Sequence, residues 1–367
     1  MKLRMFLAAT ALVAAAGTAH AAGYSVRAEC GSQARCFPTI QAALDASAKD
    51  DSGTWVTVDV APGHYHEKLT ISRPKTRLVG HGADTTRIEF NEVAQTAGHY
   101  HRSNWGTPGS ATVTVDADEI DISGVTIENS YDFLANDALP AGDPKKISNS
   151  QGVAFLADIH SDRVRLLNTS LIGNQDTLFA NGKRVLIRKS FISGNIDFIF
   201  GNGEVLIEDS TIESRRRATP FVTGEFQSFV TAPSTPLAQE IGIVIYRSRL
   251  TREAGVPDGS VALGRPWHPT TTFADGRYAD PNAVGQASFI DDYMDAHIRN
   301  DHWTEMGGTA RDGSKTAKFQ PQDSRFFESG SSGPGGAHSD IGIKWTGKPD
   351  IGHIHAVFFD GWTAAAK

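Results

Sequence analysis

The sequence predicts a right-handed parallel β-helix, and three observations carry that reading. From Trp55 onward, short segments rich in Val, Ile, Leu, Thr and Phe recur, each bounded by Gly, Asn, Asp or Pro. Four of them align: DISGVTIENS, LLNTSLIGNQ, LIRKSFISGN and LIEDSTIESR. Ser170, Ser190 and Ser210 fall twenty residues apart, with Ile172, Ile192 and Ile212 in step. No long helical pattern separates the strands, which argues against a leucine-rich horseshoe and against a parallel α/β sheet.

Taken in order, the 367 residues open on an export leader. Lys2 and Arg4 precede the apolar run from Met5 to Ala16, and Ala19-His20-Ala21 offers a small-residue cleavage site. That run is too short to cross a bilayer, and no other stretch reaches the length a span needs. Residues 1–21 are therefore expected to be removed, leaving one exported, soluble domain over 22–367 that is periplasmic or extracellular. Cys30 and Cys36, the two cysteines of the chain, are expected to close a small disulfide loop in an oxidising compartment. Without further Cys nearby they do not suggest zinc.

Thr39 to Ala46 reads as a short capping helix, with Thr39 as N-cap and Ile40, Ala43, Leu44 and Ser47 on one face. The strands follow, interrupted by longer segments at 91–109, 131–149, 215–239 and 252–260 that are expected to bulge from individual coils and build a binding face. The tail turns Gly/Ser-rich at 329–336. The stretch 341–359 then returns to mixed, strand-like character, read as an extension packed along the solenoid over 329–367.

The chemistry concentrates in GNQDTLFANGKRVLIRKSFISGNIDFIFG, residues 173–201. Asp176 and Asp197 are one apparent coil apart, which puts them on one side of adjacent coils, about 5 Å from each other. The extra residue relative to the twenty-residue repeat is assigned to Ser193-Gly194-Asn195. Two unit charges at that separation repel by ~3 kcal/mol at an effective dielectric of about 20. One acid is thus expected to hold its proton while the other stays ionised. A solvated Asp ladder is disfavoured because Leu178, Ile196, Phe198, Ile199 and Phe200 crowd both acids. Gln175 precedes Asp176, and Gln151 lies about one coil earlier; two neutral amides suit a developing oxyanion. Arg265, in the apolar run Leu263-Gly264-Arg265-Pro266-Trp267, is a candidate to pair bidentately with the ionised Asp, although taken alone it reads by default as a surface arginine in a turn. Spacing alone leaves open which acid attacks.

GHYHE at 63–67, QGVAF at 151–155, GNQDTL at 173–178, DFIFG at 197–201 and LGRPW at 263–267 resemble, in order, the five signature blocks of the pectin methylesterases. The resemblance runs from about Thr39 to Trp303. It implies the right-handed parallel β-helix and a carboxylic ester hydrolase that removes methyl esters from homogalacturonan, without a cofactor. It further implies Asp197 as nucleophile, Asp176 as general acid/base, Gln151 and Gln175 as oxyanion hole, and Arg265 as the partner of Asp197. Phe200 and Trp267 match aromatic positions lining the sugar cleft. Phe179, Ile196, Arg217, Thr270 and Met306 are further candidate substrate contacts, with Arg217 drawn from the basic run at 215–217.

The remaining features exclude more than they add. With the leader gone, 33 basic residues face 42 acidic ones, which argues against nucleic acid as a partner. The HxH pairs at 64/66 and 99/101 lack a clustered acid or Cys, so no metal site is expected. No G-x-S-x-G elbow is present, consistent with ester hydrolysis lacking a serine nucleophile. A monomer is expected. Polygalacturonases and pectate lyases also use acids on β-helices, but neither calls for the two glutamines or the last two blocks. An esterase or thioesterase of the same fold acting on another acyl group is the stronger competitor, and an inactive carbohydrate-binding solenoid the weaker.

Overall fold

The computed structural model describes residues 22–98, 106–336 and 350–362. The leader and the 99/101 histidine pair lie outside them. The chain winds into a right-handed solenoid whose three faces are parallel sheets of eleven, eight and seven strands. Seven coils give one strand to each of the three sheets, so the hydrogen bonds run between coils and every strand of these sheets except the terminal ones is paired on both edges.

Alternation along the strands makes the interior. On the eleven-stranded face Val58, Leu78, Ile122, Leu166, Ile187, Ile207, Ile245 and Phe289 are register partners on successive coils. All are buried, and they form a column in which each apolar side chain packs on the one above. At about 25 cal/mol per Å² removed from water, such columns are the dominant favourable term. The N-terminal end is closed by helix α1 (Ile40–Ser47), which buries Ile40, Ala43, Leu44 and Ser47 and takes Thr39 as its N-cap. The Glu67 carboxylate accepts from the N–H groups of Ile40 and Gln41 at 2.9 and 3.0 Å. The GHYHE block therefore ends in a residue that anchors the cap through its helix N-terminus. Cys30 and Cys36 are bonded, closing a six-residue separation.

Four expectations are corrected. The coils do not align Ile172 with Ile192: Leu171 faces Ile192 and Ser170 faces Phe191. Side-chain direction decides this, because Leu171 is fully buried while Ile172 is half-buried, and a one-residue slip would exchange them. The same offset already holds between Val164 and Val185, so the extra residue does not lie at 193–195. Segment 215–239 is not wholly an insertion, because Ser228–Pro233 is a strand of the seven-stranded sheet. Segment 131–149 does leave the solenoid and carries helix α2 (Phe133–Asp137).

The tail is helical rather than strand-like where it is described: helix α3 spans Ile351–Phe358, N-capped by Asp350. It lies along the solenoid, with Ile354, Phe358 and Trp362 on Leu186, Leu206, Val244 and Ile290 of the outer face of the eleven-stranded sheet. Gly352, the two histidines and the short apolar run gave the sequence no clear helical period. The apolar patch that fixes this helix belongs to the solenoid, not to the helix.

Candidate active site

The acids sit at the corner where each coil passes from the eight-stranded to the seven-stranded sheet. Leu178 faces Ile199 and Phe179 faces Phe200, and the Asp176 N–H donates to the Ile196 carbonyl at 3.0 Å. That register stacks Asp176 and Asp197 on adjacent coils, about 4.8 Å apart along the axis. Both carboxylates are mostly buried, with residue exposures of 8% and 7%. Both residues also adopt the left-handed conformation, at φ 68° and 50°, which Asp tolerates better than most side chains. Asp197 further lies within a β-bulge. Ile196 pairs with Phe229 and Ile199 with Thr231, so Asp197 and Phe198 together oppose one residue. The bulge turns the Asp197 side chain away from the regular inward–outward alternation.

The environments of the acids differ. Arg265 donates Nε to Asp197 Oδ1 and Nη2 to Oδ2, each at 2.7 Å. This parallel pair is the bidentate arrangement that fixes an ionised carboxylate. Among the described residues Asp176 has no such partner. Burial pushes its carboxyl well above the ordinary range, and the Asp197 charge pushes the same way against a smaller opposing effect of Arg265. Burial alone would lower the pKa of Arg265, but its contact with Asp197 outweighs that and holds it above the usual value. The two acids thus differ in setting: burial favours the neutral form of Asp176, while a guanidinium grips both oxygens of Asp197.

The glutamines occupy the neighbouring coil positions. The Gly152 N–H donates to the Gln175 carbonyl at 3.1 Å, which sets Gln151 one coil from Gln175. Gln175 Oε1 accepts from Ser150 Oγ at 3.4 Å, which steadies its oxygen end and leaves its amide nitrogen without a bond among the described residues. Gln151 Oε1 is buried and makes no hydrogen bond among the described residues. Neither amide nitrogen has a bond among them, which leaves both open to meet an oxyanion.

Beside the acids, the outer face of the seven-stranded sheet carries an aromatic platform. Phe179 and Phe200 stack with centroids 4.2 Å apart, and Trp267 meets both edge-on at 6.3 and 5.6 Å. Ala111, Val153, Leu156 and Ala232 complete it. Ile196 is half-buried next to Asp197. A flat apolar surface beside polar, charged groups suits a sugar ring, which has one apolar face and a rim of hydroxyls.

The remaining candidates are less simply placed. The Arg217 guanidinium does not stand free. It donates Nε and Nη2 to Asp137 of α2 at 3.0 and 2.6 Å, and Nη1 to the Gln227 carbonyl. Asp137 also accepts from the N–H groups of Ala218 and Thr219 and from the Thr219 hydroxyl. Despite its burial, these bonds hold the Asp137 carboxyl down to about 2. Thr270 and Met306 lie on two short antiparallel hairpins, and the Thr270 hydroxyl meets that of Thr309 at 2.8 Å. His64 and His66 are exposed and both face Glu89.

Sequence reasoning missed Asp137, which ties one insertion to the next, and Phe229, which lies beneath Arg265. The signal for Phe229 was the alternation in Ser228-Phe229-Val230-Thr231, set inside a segment read as a loop. For Asp137 no periodic signal exists, because its partners are 80 to 82 residues away.

The pectinesterase family profile matches residues 26–351. Pectinesterase A of Dickeya chrysanthemi is 41% identical over 364 residues, which cover 99% of this chain and 97% of that one. Among solved structures, a pectin methylesterase in complex with hexasaccharide VII is 38% identical with a TM-score of 0.83, covering 94% of this chain and 99% of that one. The pectin methylesterase of Yersinia enterocolitica is 39% identical with a TM-score of 0.81, covering 89% and 100%.

Proposed function

This chain belongs to the pectinesterase family, and we propose that Asp197, Asp176, Gln151, Gln175 and Arg265 carry out its reaction. The protein is a carboxylic ester hydrolase acting on the methyl esters of pectin. Ionised Asp197 attacks the ester carbonyl of a galacturonate unit, and the carbonyl oxygen takes up negative charge within reach of the two glutamine amides. As the tetrahedral centre collapses, neutral Asp176 gives its proton to the departing methoxyl oxygen and methanol leaves. Asp176, now a carboxylate, takes a proton from water. The resulting hydroxide equivalent cleaves the Asp197–galacturonyl anhydride, freeing the galacturonate carboxyl and restoring both acids.

The observation that carries this assignment is the asymmetry of the pair: Arg265 clamps Asp197 at 2.7 Å twice, while burial and charge keep a proton on Asp176. Phe200, Trp267, Phe179 and Ile196 form the surface against which the substrate ring lies. Thr270 and Met306 extend it. Arg217 meets a free galacturonate carboxylate only by sharing its guanidinium with Asp137. The test is methanol release from methylated pectin without loss of viscosity. Asp197→Ala is expected to abolish release, and a variant that kept the parent rate would overturn the assignment.

Export rests on the leader. The secreted protein is expected to begin at Ala22 as a single-domain monomer, which N-terminal sequencing and light scattering of the exported protein would check.

A further inference from the structure

Arg265 makes a contact that the ion pair does not explain. The guanidinium carbon lies 3.7 Å from the centroid of the Phe229 ring, so the cation stacks on that face while Nε and Nη2 reach Asp197. Phe229 is the register partner of Ile196, immediately before Asp197. Behind it the Phe226 ring sits 6.4 Å away, with the Arg299 guanidinium 3.3 Å above its centroid. Arg299 is itself fixed by Asp301 at 2.7 Å through two nitrogens.

We propose that Phe229 is a positioning residue for the hydrolysis, holding the Arg265 guanidinium in the plane in which its fork meets both oxygens of Asp197. An arginine side chain has several free torsions, and two hydrogen bonds along one edge do not stop the group from tilting about that edge. The ring supplies the missing constraint, because the quadrupole of an aromatic face attracts a cation and does so more strongly in a water-poor site. Among the described residues the Phe229 ring meets the Arg265 cation and the Phe226 ring, so the proposed effect passes through Arg265. Asp197 faces Asp176 on the preceding coil, whose carboxyl burial keeps toward the neutral form, and the Arg265 cation from the last block. Loosening Arg265 therefore withdraws the one cation paired with Asp197 and releases its carboxylate from a fixed orientation.

The inference rests on Asp197 as the attacking carboxylate, and the experiment separates the two. Phe229→Leu and Phe229→Tyr are compared with the parent for kcat and KM on methylated pectin across the acid limb, and the Asp197 carboxyl is followed by carbon NMR. Phe229→Leu is expected to lower kcat by about tenfold with KM unchanged and to move the acid limb to higher pH. Phe229→Tyr, which keeps the ring, is expected to restore parent behaviour. If the Leu variant does not fold, Phe229→Met retains the volume and serves in its place. Parent-like kinetics in the Leu variant, or an equal loss in the Tyr variant, would overturn the proposal. Should the parent itself release no methanol, the catalytic reading fails instead. Phe229 is then judged by NMR alone: proton uptake by Asp197 at higher pH in Leu but not Tyr supports it, and coincident titrations overturn it.

Discussion

Replacing Asp176 by Asn should make the protein more stable and far less active, and both changes follow from one proton. Asp176 is buried, its carboxyl is raised well above the ordinary range, and one cause is Asp197 on the next coil. A raised carboxyl in the fold means that the folded protein holds a proton the unfolded chain has released. Stability from this group is therefore fully present below the unfolded value of about 3.9 and is lost as pH rises toward the folded value. Asn keeps the shape and carries no proton to lose. Holding at pH 7 a proton that the unfolded chain releases near pH 3.9 costs at most about 1.4 kcal/mol per pH unit, or ~4 kcal/mol, which bounds the gain. Urea unfolding at pH 7 should show Asp176→Asn more stable than the parent by up to about that amount, and the difference should vanish near pH 4. Methanol release should fall by about 10² to 10⁴ in kcat. A variant equal to or less stable than the parent at pH 7, by an amount that does not change with pH, would show that Asp176 is ionised. The proton-sharing scheme would then be wrong.

Three further substitutions probe the frame around the pair. Gly201 has φ +127°, and a Cβ there would come within 1.8 Å of the Ala180 carbonyl oxygen; Gly201→Ala should cost more than about 3 kcal/mol and appear as insoluble or protease-sensitive protein. Asp137→Ala strands Arg217 and two backbone N–H groups between two insertions, for an expected loss on the order of 3 kcal/mol in urea unfolding. Because the Asp137 carboxyl is held down to about 2, the parent's advantage over Asp137→Ala should be full above about pH 4 and shrink as pH falls toward 2. His297 is fully buried, and burial lowers its pKa to about 4, with nearby Asp295 opposing. The parent should then lose on the order of 3 kcal/mol as pH falls from about 6.5 to about 4, and His297→Phe should remove that slope from a pH series of melting curves.

The solenoid was legible because its physics is periodic. Val185 stacks on Val205 and Ile192 on Ile212, and a repeat that buries one residue in two writes itself into the chain. The N-cap helix was legible for a related reason: Thr39 and one apolar face are local signals. The true register was harder to see. Ser170 and Ser190 match in identity twenty residues apart, yet Thr169 is the residue that meets Ser190, hydroxyl to hydroxyl at 3.2 Å. Identity repeats and stacking repeats separate wherever one coil is a residue longer than the next. Helix α3 was misread because the apolar face it needs is lent by Leu186, Leu206 and Val244.

The site divides along the same line. Asp176 and Asp197 come from coils of nearly equal length, so their approach could be read from spacing. Arg265 could not, since it is 68 residues from Asp197 in sequence and 2.7 Å away in space. The intervening coils are long: Ile199 pairs with Thr231, and Thr231 with Gly264. Only the resemblance of the LGRPW block placed that arginine. Phe229 belongs to the same long coil and to no signature block, and so escaped both routes. Yet the bulge at Asp197 exists because Ile196 is paired with Phe229 while Ile199 is paired with Thr231. The strand that supplies the ring beneath Arg265 thus also sets the backbone conformation that turns Asp197 toward it. A residue in that strand thus meets the proposed nucleophile from two directions, through the cation above it and through the register beside it.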